Sequence, residues 1–477
     1  MLEKVVQQLD DEKFVALQET LQKNKADKFG KLLQLYRDGD DEDAMRKDLG
    51  LTNSSFYTLK SRLQDKIQEF LFKETQDNRA ELLKLTSSVP ALLYNSPKAT
   101  SIMLLQFLEQ ELKKHDMPAE LVVVYNALKK LHLNSKKYYD YQQRYNKNVA
   151  YMLALDKADE TLIRYNIELG EYLISGDQAH VEVLKLLLRE LRNLSNLYES
   201  HRLSFIKHCC EAAYGIFVHP KHFIHDSEES VDDVLKKMAA PLVEYADDKF
   251  YTHMNTIYHF LSFEYYHKLG LHKNNQASYD YLRKRLFELL CLSHTMPVYK
   301  FLISVAERNT ELERPTETQG EWFTKAASMM EPEIETDIYF FRLFKAYMLF
   351  LHKDYSKAGN ELDLLMEGVN YKKSPLIEIQ AKLFLGVNFL LAGKPELTEN
   401  ALRSLTRKFN AEDVLAKYNG CTQLVKFLKT AITNMSSGKE AKIKEEYAAF
   451  LGVTKDRFSI LPFLQFTNEQ LTQIGKS

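Results

Sequence analysis

Three histidines at three-residue spacing, His219, His222 and His225, are the first residues whose types and spacing could do chemistry, and His208, Cys209 and Cys210 precede them. Imidazoles three or four apart on a helix can share a divalent cation, and thiolates are soft ligands for zinc. Pro220 interrupts the run, however, there is no HExxH, and no carboxylate is spaced to complete a ligand set. The stretch VHPKHFIHDSEES therefore reads as a solvated helix end with titratable histidines, and no metal is expected. Motifs for covalent or phosphate chemistry are missing: the chain has no GxSxG, no GxxxxGK[ST] and no strand-borne GxGxxG. Its many carboxylates fall on amphipathic helices, where they form the solvated face. No cofactor is expected and the chain reads as non-enzymatic; an unrecognised enzyme would need a deep pocket with converging polar groups.

A second polar constellation lies in DEDAMRKDLGLTNSSFYTLKSRLQDKIQEFL. A short helix ends at Gly50, and Thr52 or Asn53 can cap the next one. That helix carries an apolar stripe of Phe56, Leu59, Leu63, Ile67, Phe70 and Leu71. Outside the stripe stand Ser54, Ser55, Tyr57, Thr58, Lys60, Ser61 and Arg62, types suited to phosphate and base-edge contacts. Arg46, Lys47, Lys60, Arg62 and Lys66 make the local balance positive. The stretch resembles a helix-turn-helix of the short sigma-factor type, and the resemblance implies DNA contact through Ser54, Ser55, Tyr57, Thr58, Lys60 and Arg62. It departs from that pattern at Arg46, where a small residue belongs under the recognition helix, and the preceding acidic run DGDDED repels DNA. The alternative is a structural or partner-binding helical unit.

The elements that position these residues are helices. The chain has 477 residues, too many for one compact core, with 45% hydrophobic and 27% charged residues. Sixteen Gly and 11 Pro are few for a turn-rich β protein, and Leu, Lys, Glu and Gln dominate. A net charge of −2 supplies no global field toward nucleic acid or anionic membrane. No signal peptide opens the chain and no apolar run is long enough to span a bilayer. The four cysteines, Cys209, Cys210, Cys291 and Cys421, read as reduced, buried thiols of a cytoplasmic protein. Clusters such as YYDYQQRY, FEYYHKL and YFFRLFKAY suit the filling of space between helical layers, or else base stacking or peptide grip.

The apolar period is helical almost throughout, so the expected class is all-α. Four segments are expected: an N-terminal helical unit over 1–78, a helical-hairpin array over 79–310, clearer hairpins over 311–437 and a C-terminal helical segment over 438–477. RNTELERPTETQGE reads as the best internal loop. The strongest signal is an internal repeat. FFRLFKAYMLFLHKDYSKAGNELDLLME and EIQAKLFLGVNFLLAGKPELTENALRSLTRKF align with a period of about 40 residues, pairing Ala346 with Gly386 and Ala358 with Thr398. Leu169-Gly170 marks a weaker third copy. Over about 340–410 the chain resembles tetratricopeptide repeats, with the extra length in EGVNYKKSP.

That resemblance implies a helical-hairpin solenoid whose first helices build an inner wall. It carries the inward positions onto Phe340, Leu343, Phe344, Tyr347 and Phe350, then Gln380, Leu383, Phe384, Val387 and Leu390. A wall so apolar calls for an occupant: a protein or peptide partner, or the chain's own FSILPFLQFTNEQLTQIG, in which Phe458, Ile460, Leu461, Phe463, Leu464 and Phe466 need cover. The leading function is a non-enzymatic scaffold that binds a protein or peptide. The rival is a transcription regulator, since bacterial regulators that join a helix-turn-helix to such repeats are similar in outline. No membrane partner is expected.

Overall fold

Stretches with the 3.6-residue apolar period are helical in the computed structural model, and no described residue lies in a β-strand. The structure describes the chain apart from residues 1, 3–4, 7–8, 10, 24–26, 75–77, 220–228, 247, 249, 315–331, 369–373, 410–414, 435–439, 454–458 and 477. No described helix is long and apolar enough to cross a membrane. The fold is all-α, as the periodicity requires.

The chain divides into two compact units, Met1–Asn146 and Lys147–Ser477. The four expected segments are drawn differently: 78/79 falls between two cores of the first unit, and 310/311 falls inside a helix of the second. In the first unit, helices Asp11–Lys23, Asp27–Asp38, Glu42–Asp48 and Asn53–Glu74 close over Leu17, Leu32, Leu33, Tyr36, Met45, Phe56, Leu63 and Ile67. Helices Asn78–Ser87, Val89–Asn95, Lys98–Lys114 and Pro118–Leu131 make a separate core around Leu105, Leu112, Val124, Tyr125 and Leu128. Beside that core, buried Glu109 accepts from Tyr125 (3.0 Å), Lys113 (2.6 Å) and Arg144 (2.9 Å).

In the second unit the repeat signal becomes two superimposable turns. Helix Glu335–Leu351 joins Tyr355–Gly368, and Pro375–Leu391 joins Pro395–Lys408. The linking residues match: His352 and Ala392 both end their helices at φ −78°, ψ 2°. Lys353 (φ 60°) and Gly393 (φ 72°) then take the left-handed conformation that closes a helix end. Glycine meets that demand at no steric cost, whereas Lys353 meets it against its own Cβ. Between the second pair of helices, the Thr398 hydroxyl donates to the Gly386 carbonyl at 3.1 Å. A Cβ on Gly386 would meet Leu428 and Thr398 side chains at 3.6 Å, ordinary contact, so alanine fits there and only a larger group overpacks.

Gly170 is the tighter site. A Cβ there would lie 2.6 Å from Thr336 Oγ1 and 3.4 Å from its Cγ2. Gly170, Thr336, Asn166 and Asp337 also line a small cavity of about 100 Å³. Asp337 is buried with its Oδ1 unpartnered, and burial pushes its carboxyl up to about 8.

Two outcomes follow from this corner. Gly170→Ala should cost on the order of 1–3 kcal/mol, and Thr336→Ala should remove part of that cost. Strict additivity of the two in a double-mutant cycle by urea unfolding would contradict the contact. Asp337 retains its proton in the folded state up to about pH 8, whereas the unfolded chain releases it near 3.8. The folded state therefore binds more protons in that window, and stability falls as pH rises through it. Asp337→Asn, which cannot ionise, should gain on wild type between pH 5 and pH 9 by roughly 1 kcal/mol or more. A stability difference flat with pH would show that Asp337 is not the titrating group.

Candidate functional site

The wall positions drawn from the repeat, Phe340, Leu343, Phe344, Tyr347, Phe350, Gln380, Leu383, Phe384, Val387 and Leu390, are all buried, and the chain's own C-terminal segment packs on Tyr347, Phe350 and Phe384 among them. The Phe463 ring sits 4.5 Å from that of Tyr347 and 6.2 Å from that of Phe384. Phe466 packs edge-on to Phe350 at 6.2 Å and beside Phe427 at 5.2 Å. Backbone bonds hold the segment as well. The Ile460 N–H donates to the Asn419 carbonyl (2.8 Å) and the Phe466 N–H to the Tyr447 hydroxyl (2.7 Å). The Thr310 hydroxyl donates to the Phe463 carbonyl (3.1 Å). Leu461 bends the chain at φ 46°, and Thr467 with Gln470 caps the last helix, Asn468–Lys476. Phe458 lies outside the described residues.

On the other side of this segment is a chamber of about 570 Å³. Ser459, Pro462 and Phe463 form part of its wall with Phe340, Leu343 and Gln380. The facing wall is charged. Helix Phe250–Lys268 supplies Glu264, His267 and Lys268, and helix Lys300–Glu311 supplies Lys300, Glu307 and Glu311. Their i, i+3, i+4 and i+7 spacings put each set on one helix face. Ile216 and Phe217 enter from Tyr214–Val218, a π-helical turn that continues helix His201–Ala213 and whose Ile216 carbonyl accepts from Lys268.

The charges are arranged as bonded pairs. Lys300 Nζ donates to Glu264 Oε2 (3.1 Å) and Ser304 Oγ (2.8 Å), and Ser304 donates to Glu264 Oε2 (3.0 Å). Burial pulls the Lys300 ammonium down, but Glu264 and Glu307 outweigh it and hold its pKa above the ordinary lysine value. His267 Nε2 lies 3.2 Å from Glu307, and His272 Nε2 lies 3.4 Å from Glu311. Burial lowers the pKa of His272, with Glu311 acting in the opposite sense. Glu264 Oε1, Gln380 Oε1, His267 Nδ1 and His272 Nδ1 are buried without a hydrogen-bond partner. Unpartnered buried polar atoms on this scale cost stability and mark places built to meet something else. His267, His272 and Glu311 also bring one donor atom each within 4.8 Å of one another.

The sequence passed over this chamber for a physical reason. Arg308, Asn309 and Thr310 read as the start of a polar loop; instead they are buried in helix Lys300–Glu311. Arg308 finds Asn275 (3.3 Å) and Gln276 (2.5 Å) and lies over the Tyr279 ring at 4.3 Å. The available signal was charge on a helix face flanked by apolar residues: Lys300, Ser304, Glu307 and Glu311 between Phe301, Leu302, Val305 and Ala306.

The other expected residues lie elsewhere. Ser54, Ser55, Tyr57, Thr58 and Arg62 are exposed on helix Asn53–Glu74, Tyr57 by 60%. Lys60 is half-buried and tied to Glu42, which also accepts from Tyr36 at 3.1 Å. Thr52 accepts from the Ser55 N–H (3.3 Å) at the start of the helix. Gly50 makes the turn at φ 63°. Met45, not Arg46, fills the space beneath; Arg46 turns out to Asp43 (3.3 Å) and Asn53. Lys31 pairs with Asp48 at 2.8 Å, so acids of the same unit take up several of its cations. His219 ends the π-turn, whereas His222 and His225 lie outside the described residues. His208 is buried and pushed down to about 3 by burial. Cys209, Cys210 and Cys421 are buried, with thiols raised by burial, but Cys291 is exposed, against expectation.

Comparison with family models, with curated proteins and with solved structures finds no match to this chain.

The Glu264–Lys300 pair gives this site a direct check. Lys300→Met should destabilise by about 3–5 kcal/mol, because it leaves the Glu264 carboxylate buried and unpaired. Adding Glu264→Gln should restore a large part. If the double variant is as unstable in urea as the single one, the lysine serves by packing and not by charge.

Proposed function

We propose that the second unit is a tetratricopeptide-like helical-hairpin scaffold that binds an extended apolar segment of a protein partner, and that residues 459–466 are the groove's resident occupant. One observation carries this reading: the segment's rings pack on the first helices of consecutive hairpins, while its backbone is bonded by neighbouring elements through Thr310, Asn419 and Tyr447. Peptides are recognised in grooves by the same combination, with anchors for specificity and main-chain bonds for register. The matching turns at His352–Asp354 and Ala392–Lys394, and the close Gly386–Thr398 approach, support the repeat reading. A partner would replace the resident segment, so binding is a competition between a tethered and a free ligand.

The experiment uses the full chain with Phe463→Ala and Phe466→Ala, which withdraws the two anchors. A fluorescent peptide of the sequence SILPFLQFTNEQ should bind this variant with micromolar affinity and bind wild type at least about tenfold more weakly, since the tethered copy competes. Each substitution should also lower stability by about 3–5 kcal/mol, so circular dichroism must first establish that the variant is helical. A folded variant that leaves the peptide free would overturn the reading and make the segment a fixed part of the core.

A further inference from the structure

We propose that His267, His272 and Glu311 form a binding site for a divalent transition-metal ion of the zinc class. Their donor atoms lie within 4.8 Å of one another. A tetrahedral ion with ligands at about 2.1 Å needs donors about 3.4 Å apart, so the set closes with a shift of about an ångström. His267 directs Nε2 at Glu307 (3.2 Å), a carboxylate outside the set. A carboxylate there takes the imidazole proton onto Nε2 and leaves Nδ1, which is buried without a hydrogen-bond partner, with its lone pair bare. His272 brings Nε2 to 3.4 Å from Glu311, the separation that two ligands of one ion take. His267 is more than nine-tenths buried and stacked on Phe263 with ring centroids 5.8 Å apart.

A carboxylate–histidine pair of this kind fixes the ring and raises its basicity toward a metal. Two imidazoles and one carboxylate suit zinc-class ions, whereas magnesium and calcium demand oxygen donors. Glu307 and Glu311 together supply the charge to neutralise a dication. His272 is half-buried and Glu311 exposed, which leaves a route in from solvent. His267 and Glu311 also line the 570 Å³ chamber, so the ion would sit at its wall with a coordination position left for water or a ligand. The ligands come from three helices: His267 and His272 stand five positions apart across a helix break, and Glu311 joins them from about 40 positions on, so no single-helix spacing motif announces the set. This site does not depend on the groove being a peptide site.

The test is metal binding to the full chain after stripping with EDTA. Calorimetry with Zn²⁺ should give about one equivalent at micromolar affinity or tighter, and Co²⁺ should develop the visible absorption bands of a low-coordinate nitrogen-ligated site. His272→Gln, at a half-buried position, and Glu311→Gln, at an exposed one, should each weaken binding at least about tenfold. Glu307→Gln, acting through His267, should weaken it roughly 10–100-fold. His352→Gln, at an exposed histidine away from the cluster, should leave it unchanged. Circular dichroism of each metal-free variant establishes that a lost site is not a lost fold. The proposal fails if wild type shows neither Zn²⁺ heat nor Co²⁺ bands. It fails equally if the His272→Gln, Glu311→Gln double variant binds like wild type, or if Mg²⁺ displaces the Co²⁺ signal.

Discussion

The second unit rests on one constraint: the first helices of two consecutive hairpins present an apolar wall that water cannot be left to cover. Phe340, Phe344, Tyr347, Phe350, Phe384 and Leu390 are all buried, and Phe463 and Phe466 of the C-terminal segment close over Tyr347, Phe350 and Phe384. Burying a Phe side chain contributes about 1.5–3 kcal/mol, so Phe463 and Phe466, with buried Ile460, Leu461 and Leu464 beside them, offset much of the entropy lost in ordering the chain that carries them. Leu461 shows the tightness of the fit. It is held at φ 46°, a conformation that residues other than Gly, Asn and Asp seldom adopt.

Once that segment is down, it seals one side of the chamber, and the electrostatics there follow. Glu264, Lys300 and Ser304 sit in a low-dielectric setting where a paired charge is tolerated and a lone one is not. The π-turn at Tyr214–Val218 brings Ile216 and Phe217 to the same chamber and offers a carbonyl to Lys268. An inserted residue in a helix costs regular hydrogen bonding and is kept where it aims side chains at something. The wall of charge and the wall of aromatic rings thus belong to one enclosure, apolar on the hairpin side and polar on the side of Phe250–Lys268 and Lys300–Glu311.

The first unit is organised by ordinary burial. Its helix-turn-helix-like segment packs Phe56, Leu63 and Ile67 inward and shows its hydroxyls outward. What the residue pattern implied about DNA rested in part on the cations Arg46, Lys47, Lys60, Arg62 and Lys66, and of these Lys60 pairs with Glu42 and Arg46 with Asp43. Both acids, Glu42 and Asp43, belong to the run DGDDED that interrupts the resemblance in sequence.

The chain by itself determined the helices, because a 3.6-residue apolar period has one favourable outcome in water. It also determined the repeated turn at Lys353 and Gly393, the inward rows of the two first helices and the need for something to cover them. Those are local properties, set by residues within a turn or two of each other. Tertiary structure alone decided the rest. It turned Arg308, Asn309 and Thr310 from an expected loop into buried helix, where Arg308 bonds to Asn275 and Gln276 and Thr310 to Tyr347 and Phe463, all distant in sequence. It set His267 and His272 against Glu307 and Glu311 across about 40 positions of chain. A polar residue's meaning depends on its partner, and long-range partners are chosen by packing, which no local pattern records.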